Sequence, residues 1–214
     1  LEDELLTALA EASTEARFAR NETIIREHDL STSMFVILEG RVKVSLVRQE
    51  GREAILAMLG AGDFFGDMSL LDNEPRSASV IAIAATRVLI LTRNDFARLL
   101  GSRPGMTVLL LQAITGRLRH ADQKIADLAF LDAIGRVTNV ICELAASDGE
   151  ETEDGILIRN RMSHDQLSRM VATTRETVTH CMITLEKRGY VASHGRDLLI
   201  HSLDDLRNSF VPPR

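Results

Sequence analysis

Two short stretches of the chain hold side chains whose types and spacing could do chemistry. The first is GDMSLLDNEPRSAS, residues 66–79. Gly66 would let backbone N–H groups approach a ligand closely, Arg76 offers a forked donor and Ser77 adds a hydroxyl, a set suited to an anion. The plainer reading is a turn between strands, with Asp72-Asn73-Glu74-Pro75 as loop chemistry and Arg76 facing water. The second stretch is RETVTH, residues 175–180. On a helix, Arg175, Glu176, Thr179 and His180 share one face. Arg175 can donate a bidentate pair to guanine O6 and N7, and Glu176 can accept from a cytosine amino group. A place in the first helical turn would also bring backbone amides close to phosphate. The alternative is the solvated face of an ordinary helical hairpin.

No nucleophile paired with a base and no metal motif is visible, so neither catalytic nor metal-ligating residues are expected. The two cysteines, Cys142 and Cys181, supply neither a disulfide framework nor four thiolates for an iron–sulfur cluster, and fit a reducing cytoplasm. His28 and His120 are conceivable haem ligands, or simply surface and capping residues. The acidic SDGEETEDG (147–155) lacks the ligand spacing of a metal loop and is expected to be a solvated loop. No apolar run is long enough to cross a membrane. LEDELLTALAEA at the start is unlike a signal peptide, and a chain beginning at Leu1 suggests missing upstream residues.

A net charge of −6 argues against nonspecific polyanion binding, but its distribution is uneven. From Arg159 to Arg196 there are seven basic residues against three acidic; just before, Glu143 to Asp154 holds six acids and no base.

These side chains need elements to position them. Residues 1–16 have helical apolar spacing, with Leu5, Leu6, Leu9 and Ala12 on one side. From Thr23 to about Thr92, runs such as TIIREH, MFVILEG, RVKVSLV, AILAML, ASVIAI and RVLILT are separated by turn residues and predict an antiparallel barrel or roll, with GDMSL as a short helix between strands. RVKVSLV alternates. After Asn94-Asp95, read as the cap of a short helix FARLL, Pro104 opens the longest periodic segment. Leu111, Ile114, Leu118, Ala121, Ile125 and Leu128 recur every three or four residues. With Arg117, Arg119, Asp122, Gln123 and Lys124 leaving the other sides polar, this narrow stripe predicts a coiled coil between two identical chains; packing on the barrel is the alternative.

Asp132 can cap a further helix, AIGRVTNVICELAA. Ser163-His-Asp-Gln166 has capping-box spacing before LSRMV. Thr173-Thr-Arg-Glu176 repeats that spacing before RETVTHCMITLEKR, which Gly189 can end. Val178, Met182 and Leu185 would face inward. YVASHGRDLLIHS then reads as two strands around His194-Gly195-Arg196. The pattern is helix, turn, helix and wing.

On these motifs the sequence resembles the CRP/FNR family of bacterial transcription regulators over nearly its whole length. GDFFGDMSLLDNEPRSASV is similar to that family's phosphate-binding cassette, DLAFLDAIGR (127–136) to its hinge, and TTRETVTHCMITLEKRGYVASHG to its recognition helix and wing. The resemblance implies an α+β chain: a jelly-roll β-barrel sensor over 1–103, a dimerisation helix and hinge over 104–131, and a winged helix-turn-helix over 132–214. It implies a homodimer on double-stranded DNA with a palindromic TGTGA-like site, RNA polymerase as a further partner, and a cyclic nucleotide, cyclic AMP or a guanine cyclic nucleotide, as effector. The implied ligand residues are Gly66, Asp67, Met68, Arg76, Ser77 and Asp122. The implied DNA residues are Ser163, Thr174, Arg175, Glu176, Thr177, Thr179, His180 and His194. Cyclic di-GMP, a haem-borne gas or no small ligand are the alternatives for the signal, and a regulatory module of a larger signalling enzyme the alternative for the whole.

The chain departs from the family pattern at four places. The cassette acid is Asp67 where cyclic-AMP binders usually have Glu, and the Thr-Ser pair that meets adenine falls at Ala121 and Asp122. A second recognition arginine is replaced by His180. The FNR-type cysteine cluster is absent. An inward Asp122 carboxylate would favour guanine, which offers N1–H and N2–H together; otherwise it faces water beside Arg119 or Lys124.

Overall fold

The computed structural model describes residues 13–48 and 51–211. Among these the chain divides into two compact units, 1–117 and 118–214.

The first unit is a two-sheet roll. Its strands are β1 (Thr14–Phe18), β2 (Thr23–Ile25), β3 (Met34–Glu39), β4 (Arg41–Val47), β5 (Glu53–Gly60), β6 (Phe64–Phe65), β7 (Ser79–Ala82) and β8 (Thr86–Leu91). They form two four-stranded antiparallel sheets, ordered β1-β8-β3-β6 and β2-β7-β4-β5. Helix α1 (Asp67–Asp72) lies between β6 and β7, and α2 (Arg93–Ser102) and the first half of α3 (Pro104–Phe130) follow β8.

The run MFVILE explains the layering. Alternate residues of β3 point to opposite faces. Phe35 and Ile37 pack inside the sandwich with Val42, Phe65, Val80 and Val88. Met34 and Val36 pack outward with Leu70 of α1, Phe96 and Leu99 of α2, and Met106 and Leu110 of α3. Gly40 is required where the chain leaves one sheet for the other. Its φ is +88°, and a Cβ there would lie 2.2 Å from the Ala85 carbonyl oxygen.

Several expectations are corrected here. Leu5, Leu6, Leu9 and Ala12 lie outside the described residues, but Thr14–Phe18 is a strand paired with β8 rather than the end of a helix. The alternation in RVKVSLV fails halfway. An extra residue on β5, Leu56, makes a bulge opposite Val44 and Ser45, and Ser45 is fully buried there. Helix α2 starts earlier than Asn94-Asp95, because Thr92 caps it by accepting from the Asp95 amide.

The second unit contains the rest of α3, α4 (Ala133–Asp148), β9 (Gly149–Thr152), β10 (Gly155–Ile158), α5 (His164–Met170), α6 (Arg175–Lys187), β11 (Val191–His194), β12 (Asp197–Ile200) and α7 (Leu203–Phe210). Its strands form one antiparallel sheet, ordered β11-β12-β10-β9. Val137, Ile141, Val178, Met182, Leu185, Ile200 and Leu206 make a single core. The acidic stretch is not a loop. Its ladder joins Gly149–Thr152 to Gly155–Ile158, so the acids stand on an exposed hairpin.

Asp132 caps α4 through the Gly135 amide, as expected. The join between α3 and α4 is polar: the Asp127 carboxylate accepts from Gln123 at 2.7 Å and from the buried Asn139 amide.

Candidate functional sites

The cassette is built around Gly66, which caps α1 with φ +81°. A Cβ there would sit 2.7 Å from Arg76 Nη1 and 2.8 Å from the Ser33 carbonyl oxygen, so the close approach needs glycine. Arg76 does not face water. It is 2% exposed, and its guanidinium donates to Ser31 Oγ (3.1 Å), the Gly66 carbonyl (2.7 Å) and the Ser33 carbonyl (2.6 Å). Burial weakens its hold on its proton, an effect opposed by Asp29 and Asp67.

Asp67 is 4% exposed and accepts from Arg117 Nη1 of α3 at 2.7 Å. Arg117 also donates to the Phe64 carbonyl and lies over the Phe64 ring, 4.2 Å from its centroid. The two-residue strand β6 thus works on both faces: Phe65 stacks on Phe35 in the core, while Phe64 supports Arg117. Met68 and Ser77 are exposed at the rim, with the Ser77 hydroxyl 3.5 Å from the Met68 sulfur. Asp122 is exposed on the part of α3 that belongs to the second unit. Gly66, Asp67, Met68, Arg76 and Ser77 therefore come together, and Arg117 joins them. Sequence reasoning took Arg117 only as part of a polar helix side.

The reading head is two capped helices and a hairpin. The Ser163 hydroxyl accepts from the Gln166 backbone amide while the Gln166 side-chain oxygen accepts from the Ser163 amide, a complete capping box. The second cap is shifted by one residue from expectation. Thr174, not Thr173, accepts from the Thr177 amide. Ala172, at φ +51°, makes the turn between α5 and α6. Arg136 fastens that turn, donating to the carbonyls of Val171 (2.9 Å) and Leu131 (2.8 Å), a role its sequence context did not signal.

On α6, Val178, Met182 and Leu185 are buried as expected. Arg175, Glu176 and His180 are exposed, and Thr177 and Thr179 half-buried. Bonds to its own amide and to Thr174 hold the Glu176 carboxyl below the usual carboxylate range, so it is an acceptor at neutral pH. His194 is exposed where β11 ends at the wing. Among the described residues no group of side chains is arranged to hold a metal ion, and no helix is long and apolar enough to cross a membrane.

A β-roll with a buried Gly-Asp-Arg cradle, joined by a long helix to a winged helix-turn-helix, defines a sensor fused to a DNA-binding head. Comparison with known proteins agrees. Residues 15–103 match the cyclic nucleotide-binding domain and 135–209 the Crp-like helix-turn-helix domain. The chain belongs to the CRP/FNR family, as a DNA-binding transcription regulator rather than an enzyme.

A CRP-like cAMP-activated global transcriptional regulator of Mycobacterium tuberculosis is 27% identical over 206 residues, covering 96% of this chain and 92% of that protein. The cAMP-activated global transcriptional regulator CRP of Haemophilus influenzae is 28% identical over 187 residues, covering 86% and 83%. Among solved structures, a CooA mutant from Carboxydothermus hydrogenoformans superposes with a TM-score of 0.82 at 23% identity, covering 95% of this chain and 89% of that one, a likeness of fold.

Proposed function

We propose that the protein is a cytoplasmic homodimer that reads a palindromic TGTGA-like site and whose DNA affinity is controlled by a cyclic nucleotide held in the cassette. The division of labour is a sensor over 1–103, a dimerisation helix and hinge over 104–131, and a DNA-binding domain over 132–214. The observation that carries the ligand assignment is the pair of buried opposite charges, Asp67 and Arg76, on either side of a glycine that admits no side chain. The N–H groups of Arg76 beyond its three internal bonds and the Ser77 hydroxyl are suited to a cyclic phosphate. Arg117 orients one oxygen of Asp67 and leaves the other for a ribose hydroxyl. Met68 lines the rim, and Asp122 is assigned to the base. In the reading head Arg175, Glu176 and His180 face the bases, while Ser163, Thr174, Thr177, Thr179 and His194 lie toward the backbone. RNA polymerase is the further partner of such a regulator.

A ligand-independent regulator is the second reading, favoured because Arg76 and Asp67 already have internal partners. Calorimetry of the purified protein against cyclic AMP, cyclic GMP and cyclic di-GMP, with and without operator DNA, separates the two. Saturable binding that changes DNA affinity is the expected result; tight, specific DNA binding indifferent to all three removes the cyclic-nucleotide assignment.

A further inference from the structure

Three elements of the reading head meet at one imidazole. His164, half-buried at the start of α5, has Nδ1 2.9 Å from Thr179 Oγ1 on α6 and Nε2 3.1 Å from Arg161 Nη1. Thr179 Oγ1 is also 2.9 Å from the Arg175 carbonyl oxygen. The Arg161 amide in turn donates to the Arg196 carbonyl in the wing, at 2.8 Å.

The direction of every bond in this chain follows from one constraint. A guanidinium can only donate, so Nε2 of His164 must carry a lone pair. The neutral ring therefore has its hydrogen on Nδ1 and donates it to Thr179. That leaves the Thr179 hydroxyl proton for the Arg175 carbonyl. Every donor finds an acceptor, but only while His164 is neutral; a second proton would set an N–H against a guanidinium.

Resting on the DNA-reading assignment above, we propose that His164 is a positioning residue of the reading head. As the neutral Nδ1–H tautomer it joins the wing, α5 and the first turn of α6. It also withdraws the Thr179 hydroxyl from DNA contact, leaving Arg175, Glu176 and His180 as the readers. Thr179 is thus reassigned from contact to support.

The charged groups facing the ring are Arg161, from the segment before α5, and Arg175 and Glu186 of α6. Burial first, then Arg161 and Arg175, hold the His164 pKa below the ordinary histidine value, with Glu186 opposing. The proton therefore arrives below about pH 6.5. It breaks the Arg161 contact while adding positive charge beside the DNA. Sequence-independent attraction should strengthen and discrimination weaken.

The test uses the full chain, a duplex selected by it from a random pool at about pH 7.5, and a scrambled duplex of the same composition. The ratio of the two affinities is followed at fixed salt down to about pH 5.5 for the parent, His164→Gln and His164→Ala. A glutamine amide can accept from Arg161 and donate to Thr179 but does not titrate. The parent ratio should fall about five-fold on acidification. His164→Gln should stay flat near the parent's neutral value, and His164→Ala should be low throughout. A parental ratio for His164→Ala at neutral pH, or a parental pH profile for His164→Gln, overturns the assignment. Nitrogen NMR of the DNA-free protein reads the tautomer independently: Nδ1–H is expected, and Nε2–H overturns the proposal whatever the DNA result. If no duplex emerges from the pool either without effector or with cyclic AMP, cyclic GMP or cyclic di-GMP present, the DNA-reading assignment fails, while the NMR outcome still decides the role of His164 in joining the elements.

Discussion

At the scale of single residues, Arg76 serves the fold before it serves a ligand. Its bonds to Ser31, Gly66 and Ser33 tie the loop before β3 to the start of α1. Arg76→Leu would leave two half-buried carbonyls and the buried Asp67 without that partner. It should therefore destabilise the N-terminal unit by about 2–4 kcal/mol, seen as a lower urea midpoint, and a loss of nucleotide binding in that variant would be confounded by unfolding. Arg117 is a second probe: its own side chain is 41% exposed, but its partner Asp67 is buried. Arg117→Gln takes the guanidinium away from that carboxylate, so it should lower stability by about 1–3 kcal/mol and weaken nucleotide binding about ten-fold, measured by calorimetry on the folded variant; unchanged affinity would free Asp67 from any dependence on α3. Arg175→Ala should cost about 1–3 kcal/mol on the specific duplex and relax one guanine position. An unaltered preference over the scrambled duplex would remove Arg175 from the readers. His164 also links to folding. Its folded pKa is lowered, so its contribution is present above the unfolded value near about 6.5 and is lost as pH falls through the folded value. Urea melts of the parent should show a drop in that window that His164→Gln does not share.

Elements were legible in the sequence where their determinants are local, and obscure where they are not. The caps at Asp132 and Ser163 depend on a residue three positions on, and both are as the spacing implies. Two adjacent threonines offered the same signal before α6, and only the turn geometry selects Thr174 over Thr173. The helical spacing read for residues 1–16 runs into the start of Thr14–Phe18, but pairing with the distant β8 makes that segment a strand. Arg117 meets Asp67 across 50 residues of sequence, and nothing near it marks it as part of the cassette. The turn between α5 and α6 also carries an element-scale cost. Ala172 adopts φ +51°, a left-handed conformation that a Cβ disfavours. Ala172→Gly should raise the stability of the C-terminal unit by up to about 1 kcal/mol, read by chemical denaturation. A loss of stability would mean that the entropy of the unfolded glycine outweighs the relieved strain.

At the scale of the whole molecule, α3, whose residues are divided between the two units, carries an exposed apolar pattern. Leu111, Leu118 and Ile125 recur at seven-residue spacing and are 58%, 61% and 66% exposed, with Leu128 at 54%. Ile114 is half-buried and Ala121 exposed. Strict sevenfold spacing is what two helices need to keep one seam in contact along their length, and exposed leucines gain from burial against an identical surface. The proposed two-fold dimer would suit a palindromic target. One reading head would cover a half-site, and its partner would meet the next one turn of DNA away, about 34 Å. Leu118→Glu tests this at the middle of the seam, where two carboxylates would face each other without water or a counter-charge. Sedimentation should show monomers at concentrations where the parent is dimeric. Binding to the palindromic duplex should collapse toward that of a single half-site, and thermal unfolding should lose the dependence on protein concentration that a dimer confers. A variant that sediments as a stable dimer would move the interface away from α3 and leave its leucines without an explanation.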